Sequence, residues 1–253
     1  MGVLRERRVD VGGRCLHVVE GGRGTPAVVL EAGSGCSSGL WRDVQERVSL
    51  VTACYSYDRA DHGASDPAGP WTLEGWRADL EAWLAALAVS PPYVLVGHSL
   101  GGHIVRAFAA RHPGEVAGMA LIDARHERLS EALPEWIARL RELVPYDAEQ
   151  GLRADEMIAG LSTEAGRDDL ARMPLTVITH GRADWIPDGF GFGPAELDRC
   201  EREWQAHQHD LAARSPNSVF RVAAASGHLI PAEQPDLVAD EILALVARHP
   251  GTA

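Results

Sequence analysis

Apolar and polar positions alternate near the start of the chain, then give way to short apolar runs separated by stretches of helical spacing. Within residues 5–20, RERRVDV and RCLHVVE alternate as two half-buried strands do. Gly12-Gly13 between them supplies the positive φ of a tight hairpin turn. PAVVLEAGSG is a continuous apolar run ending in glycines, the pattern of a strand covered on both faces. The spacing then predicts a helix over 40–48 and a strand in VTACYSYD (51–58), followed by the turn-rich RADHGASDPAGP. Leu73, Trp76, Leu80, Trp83, Leu84 and Leu87 recur at helical spacing behind a Thr72 cap. The same switch from strand to helix repeats in YVLVG and SLGGHIVRAFAARHPG, where Pro113-Gly114 is the stop, and VAGMALID reads as a sixth strand.

Residues 128–172 break this rhythm. They keep helical apolar spacing at Leu133, Trp136, Ile137, Leu140 and Val144, then Met157, Ile158 and Leu161, and hold no strand candidate, so a helical insertion is expected. Alternation resumes with PLTVITHG (174–181), a helix near 195–213, the strand SVFRVAAAS and a last helix over about 231–248. Strands alternating with helices imply right-handed crossovers and an α/β fold with a mostly parallel sheet. At 253 residues, one domain over 1–253 is the expectation.

Charge and cysteine usage narrow the classes of partner. A formal net charge of -12 repels phosphate backbones and anionic lipid surfaces, which argues against a nucleic-acid or membrane partner and leaves a small molecule. No window approaches the roughly 18 consecutive apolar residues of a membrane span, and no apolar segment follows the charged N-terminus. Cysteines stand singly at 15, 36, 54 and 200, with no CxxC spacing, so a reduced, cytoplasmic setting is expected and a metal site is disfavoured.

The stretch Val96-Gly97-His98-Ser99-Leu100-Gly101-Gly102 carries the chemistry. It places a serine at the carboxyl end of a buried parallel strand, immediately before a helix, where open α/β sheets hold their ligands. A Cβ at Gly97 or Gly101 would crowd the neighbouring strand or helix, so the glycines permit a sharp turn that lifts the hydroxyl clear. The helix start offers N–H groups and a positive dipole end to a developing oxyanion. In this setting Gly97-His98-Ser99-Leu100-Gly101 resembles the nucleophile elbow of the α/β-hydrolase family. The resemblance extends to LEAGSG after the third strand, YDRADHGASD after the fourth, the insertion, HGRADWIP after the seventh and SGHLIPAEQPDLV near the end. It implies the α/β-hydrolase fold, an eight-stranded, mostly parallel sheet flanked by helices, with a small helical cap at 128–172 after strand six.

An alcohol needs a base to attack at neutral pH. Of the 11 histidines, His228, following Ser226-Gly227, matches the family's catalytic position. His98 lies inside the elbow and is expected to point away, while His207 and His209, two apart on a helix, cannot share a face. His17, His112 and His249 read as surface residues, and His103 and His180 as structural. Two aspartates compete to orient the imidazole: Asp184 in GRADWIP, at the family's usual spacing, and Asp123 in LIDARHE, at the end of the sixth strand. REWQAHQHDLAARSPNS resembles a subgroup that uses the sixth-strand aspartate, so Asp123 is preferred and Asp184 is the alternative.

The resemblance further implies an oxyanion hole from the backbone N–H groups of Leu100 and Ser34, the latter in Ala32-Gly33-Ser34, where the family often has His-Gly. Cys36 reads as a small buried hydrophobe. Asp58-Arg59 and Gly63 read as a structural turn, with substrate contact by Arg59 or His62 the other reading. His126, Trp136, Ile137, Leu140 and Trp185 are candidates for lining a substrate pocket, although cap packing also accounts for them. Together these groups specify acyl transfer to water through an acyl-enzyme, on a small to medium, apolar carboxylic ester or lactone, with no cofactor. The family's dehalogenases and epoxide hydrolases carry an aspartate where this chain has Ser99. A non-catalytic small-molecule binder, or a cyclase or lyase on the same scaffold, are the alternatives.

Overall fold

The computed structural model describes residues 3–68, 72–143, 155, 170, 173–183, 186 and 191–249. The strands are β1 (Arg5–Asp10), β2 (Cys15–Gly21), β3 (Ala27–Glu31), β4 (Cys54–Tyr57), β5 (Tyr93–His98), β6 (Val116–Ile122), β7 (Leu175–His180) and β8 (Ser218–Ala223). They form one eight-stranded sheet in the order β1-β2-β4-β3-β5-β6-β7-β8. β2 runs antiparallel to both of its neighbours, and every pairing from β4 across to β8 is parallel. At the hairpin Gly12 and Gly13 adopt φ of 94° and 95°, a region an L side chain rarely enters, which is why the turn is written with two glycines.

The apolar runs become the central strands because they are covered on both sides. Every residue of β3, β5 and β7 is buried. Successive side chains point to opposite faces. Val29, Leu95, Leu121 and Val177 therefore join a cluster with α2 (Leu73–Ala86), α3 (Gly101–Arg111) and α6 (Pro194–Ala213). Val28, Val94, Ala120 and Ile178 join the opposite cluster with α1 (Arg42–Val48) and α8 (Pro235–Ala247). Thr72 caps α2 as expected, its Oγ1 accepting from the Gly75 N–H at 2.9 Å.

Two expected helices are subdivided. The one over 40–48 begins as a 3-10 turn, Ser38–Trp41, before α1. The last is broken into α7 (Ile230–Glu233) and α8, because Pro235 lacks the N–H needed to continue a helix and instead opens a new one. Between β6 and β7 lie α4 (Leu129–Ala132) and α5 (Pro134–Leu143). Their Leu129, Trp136, Ile137 and Leu140, with Leu133 between the two helices, pack with Ile186 and with Cys200 and Trp204 of α6. Val144, Met157, Ile158 and Leu161 of the expected insertion lie outside the described residues. Among the described residues no helix is long and apolar enough to cross a membrane.

Candidate active site

The strand order reverses at β3, whose neighbours are β4 on one side and β5 on the other. Such a reversal opens a crevice beyond the carboxyl ends of the strands. Ser34 follows β3 and Ser99 follows β5, so both stand at this point. Ser99 is held at φ 52°, in the left-handed region. A Cβ on Gly97 would stand 2.7 Å from the Gly101 carbonyl oxygen, and one on Gly101 would overlap the Glu31 carbonyl. One on Gly33 would come within 3.1 Å of Ser99 Cβ, so the loop after β3 lies directly against the elbow. The elbow is pinned by hydrogen bonds from the Ser99 N–H to Ile122 O at 3.2 Å and from the Arg125 N–H to Ser99 O at 3.0 Å. His98 and Leu100 are buried on either side, whereas Ser99 is partly exposed.

Asp123 directly follows β6 and is fully buried. It too adopts a positive φ, 45°, and its N–H donates to Ile178 O of β7 at 2.6 Å. Its Oδ2 accepts from His228 Nδ1 at 2.6 Å and from His180 Nδ1 at 2.8 Å. Its Oδ1 accepts from Trp204 Nε1 at 2.9 Å, and from the Thr179 hydroxyl and the His180 N–H at 3.2 Å each. Burial alone would raise this carboxyl, but the bonds from His180 and His228 outweigh it and hold the group well below the usual carboxylate range. A carboxylate only accepts, so Nδ1 of His228 carries the hydrogen, and in the neutral ring Nε2 keeps its lone pair. Asp184 and Trp185 lie outside the described residues.

Two supports of His228 were not legible as such. His98 does turn away from the elbow, but its Nε2 reaches under the sheet end and donates to the His228 carbonyl at 2.9 Å. Burial, and then the charge of His228, push His98 down to about 3, so it remains the neutral donor this contact requires. Trp204 sets its ring edge-on to that of His228, with centroids 5.4 Å apart. Trp204 belongs to a polar stripe on α6. Glu201, Trp204, Gln205 and Gln208 fall at helical spacing and meet His180, Asp123, His180 O and Ala124 O respectively. That i, i+3, i+4, i+7 polar spacing in EREWQAHQ was the available signal.

The loop after β3 rests on Arg59. This buried guanidinium bonds Glu31 Oε1 at 2.6 Å and also donates to Ala32 O and Gly33 O. Tyr57 donates to the other Glu31 oxygen. In a trans peptide the N–H points opposite the carbonyl, so the Ser34 N–H is turned away from Arg59. Arg59→Met would leave the Glu31 carboxyl buried without its cation, and is expected to cost about 3–5 kcal/mol of unfolding free energy, measured by urea denaturation. An unchanged midpoint would show that Arg59 is dispensable to the loop. His62 bonds Ala60 O at 3.0 Å through Nδ1.

Other candidates are placed as follows. His126 is buried with its ring turned to α6, bonding Asp210 at 2.9 Å and stacking on His207 at 4.3 Å. His209 stacks on Phe220, so His207 and His209 do face apart. Trp136, Ile137 and Leu140 lie in the α4–α5–α6 cluster, Trp136 beneath the Arg125 guanidinium at 5.5 Å. His17, read as a surface residue, is instead partly buried, because Asp58 and Glu6 bond its two nitrogens at 3.0 and 3.4 Å. His103 is buried against Asp155 at 2.8 Å.

The α/β hydrolase fold family matches residues 26–238. Uncharacterized protein YqjL of Bacillus subtilis is 26% identical over 221 residues, covering 83% of this chain and 79% of that one. The pimeloyl-[acyl-carrier protein] methyl ester esterase of Chromobacterium violaceum is 31% identical over 173 residues, 66% of each chain. Two further curated relatives are longer, and the chain spans under half of their length. Among solved structures, a thermophilic esterase from Thermogutta terrifontis aligns over 97% of this chain and 98% of its own with a TM-score of 0.61 at 21% identity, a likeness of fold. With its sheet order and this match over most of its length, the chain belongs to the α/β-hydrolase fold family.

Proposed function

We propose that this chain is a serine hydrolase cleaving a small to medium, apolar carboxylic ester or lactone through an acyl-enzyme. Ser99 Oγ adds to the carbonyl carbon as His228 Nε2 takes its proton. The tetrahedral oxyanion is stabilised by the N–H groups of Leu100 and Ser34. His228 returns the proton to the leaving alcohol, and a water activated by the same nitrogen then releases the acid. Asp123 fixes the imidazole and offsets the charge it acquires. The observation that carries this reading is the 2.6 Å bond from His228 Nδ1 to the buried Asp123 carboxylate, in a chain whose Ser99 occupies a strained elbow.

The esterase among the relatives supports an ester as the bond attacked. In this reading residues 128–172 form the cap that selects the acyl or alcohol group, supported by the position of α4 and α5 between β6 and β7. The test is a pre-steady-state assay with a short-chain p-nitrophenyl ester. A burst of p-nitrophenol near one equivalent per chain is expected, with the acyl group recovered on the peptide containing Ser99. Binding without release of p-nitrophenol would favour the small-molecule binder instead.

A further inference from the structure

Asp123 is shared by two histidines. His228 and His180 both direct Nδ1 at the same oxygen, Oδ2, at 2.6 and 2.8 Å. At its other end His180 meets a second carboxylate, its Nε2 standing 2.9 Å from Glu201 Oε2. Glu201 is itself steadied by Gln205, whose Nε2 donates to Glu201 Oε1 at 2.9 Å and to His180 O at 3.2 Å. Carboxylates accept and do not donate, so a ring between two of them needs a hydrogen on each nitrogen, and only the imidazolium form supplies both. The His180 side chain is wholly removed from solvent at this position.

We propose that His180 is held as an imidazolium between Asp123 and Glu201, and that the two together act as positioning residues that set the basicity of His228 through the shared carboxylate. The proposal rests on the reading of Ser99, His228 and Asp123 as nucleophile, base and acid. Glu201, His180 and Asp123 then form a row of alternating charge, minus, plus, minus, that ends at His228. The cation draws on the same oxygen that must stabilise the His228 imidazolium in the transition state, and so weakens its pull. Glu201 compensates for part of that loss.

The surroundings are consistent with this charge. Burial disfavours the His180 cation, but its hydrogen bonds to Asp123 and Glu201 outweigh that and hold the group up at about 9. Among the described residues, the titratable groups around His180 come from four places: Asp123 after β6, Glu201 from α6, His228 from the segment after β8, and His98 from β5, beyond His228. His98, held far below neutrality, adds no positive charge near pH 7.

The test is the pH dependence of kcat/KM for a p-nitrophenyl ester in the wild-type chain, His180→Asn and Glu201→Gln. His180→Asn keeps an N–H for Asp123 and removes the cation, so the acidic limb is expected to move up by about half to one unit. Glu201→Gln leaves the cation uncompensated, and the limb is expected to move down by a similar amount. Shifts of opposite sign support the proposal. Limbs that stay put, or move the same way in both variants, would overturn it, since a packing role changes rate alone.

A second readout keeps the test independent of turnover and of whether His180→Asn folds. In the ¹⁵N spectrum of the wild-type chain, both His180 ring nitrogens are expected to be protonated at about pH 8, where an ordinary histidine is neutral. The resonance is assigned by its disappearance in His180→Asn, or by its response to Glu201→Gln. One unprotonated His180 nitrogen at that pH would overturn the proposal. A wild-type chain that hydrolyses no ester would overturn the proposed function and leave this charge still measurable.

Discussion

Ser99→Ala is expected to lower kcat/KM toward a p-nitrophenyl ester by about 10⁵- to 10⁶-fold, leaving the residual rate that oxyanion donors and binding supply by themselves. The substitution removes one oxygen atom and asks nothing new of the backbone. Serine already carries a Cβ at φ 52°, and the chain holds an alanine, Ala88, at the same φ. The unfolding midpoint should therefore stay within about 0.5 kcal/mol of wild type, so that lost turnover cannot be charged to lost structure. Steady-state kinetics beside a urea titration makes the comparison. Wild-type turnover in the alanine variant would mean that the nucleophile lies elsewhere.

The second large effect is expected at Asp123. Asp123→Asn should lower kcat by about 10⁴-fold, because a neutral amide no longer offsets the His228 imidazolium and no longer selects the tautomer with hydrogen on Nδ1. The site is unusually intolerant of an amide. Among the described residues all five hydrogen bonds into Asp123 come from donors, so an NH₂ at either oxygen position would face another donor across a buried contact. Some stability should be lost as well, about 1–3 kcal/mol for a buried donor left unsatisfied. Asp184→Asn in the same assay is expected to cost far less. If it costs more, with both variants folded, Asp184 is the orienting acid.

The fold was readable because a buried parallel strand leaves a plain mark. PAVVL, YVLVG and MALI are apolar without interruption, LTVITH mixes Leu, Val and Ile with two threonines and a final histidine, and each became a strand covered on both faces. The elbow was readable for a related reason, since a backbone that leaves no room for a Cβ must be written in glycine. The arrangement around Asp123 was much less so. Its partners His180, Trp204 and His228 lie 57, 81 and 105 residues away, and nothing local records which of them a strand register and a helix rotation will bring together. Asp123's own positive φ accompanies an N–H bond across to β7, a contact between strands that its neighbours in the chain do not encode. His180 illustrates the gap best: a histidine ending an apolar strand looks like a core residue until a carboxylate is found at each of its nitrogens.

His98 tethers the main chain of His228 from below while Trp204 wedges its ring from the side. The imidazole is thus aimed by rigid elements on both faces of the sheet, although it sits on a connecting segment that could otherwise wander. In the proposed hydrolysis little of the activation barrier then has to go into gathering scattered groups, because the scaffold completed that work when it folded.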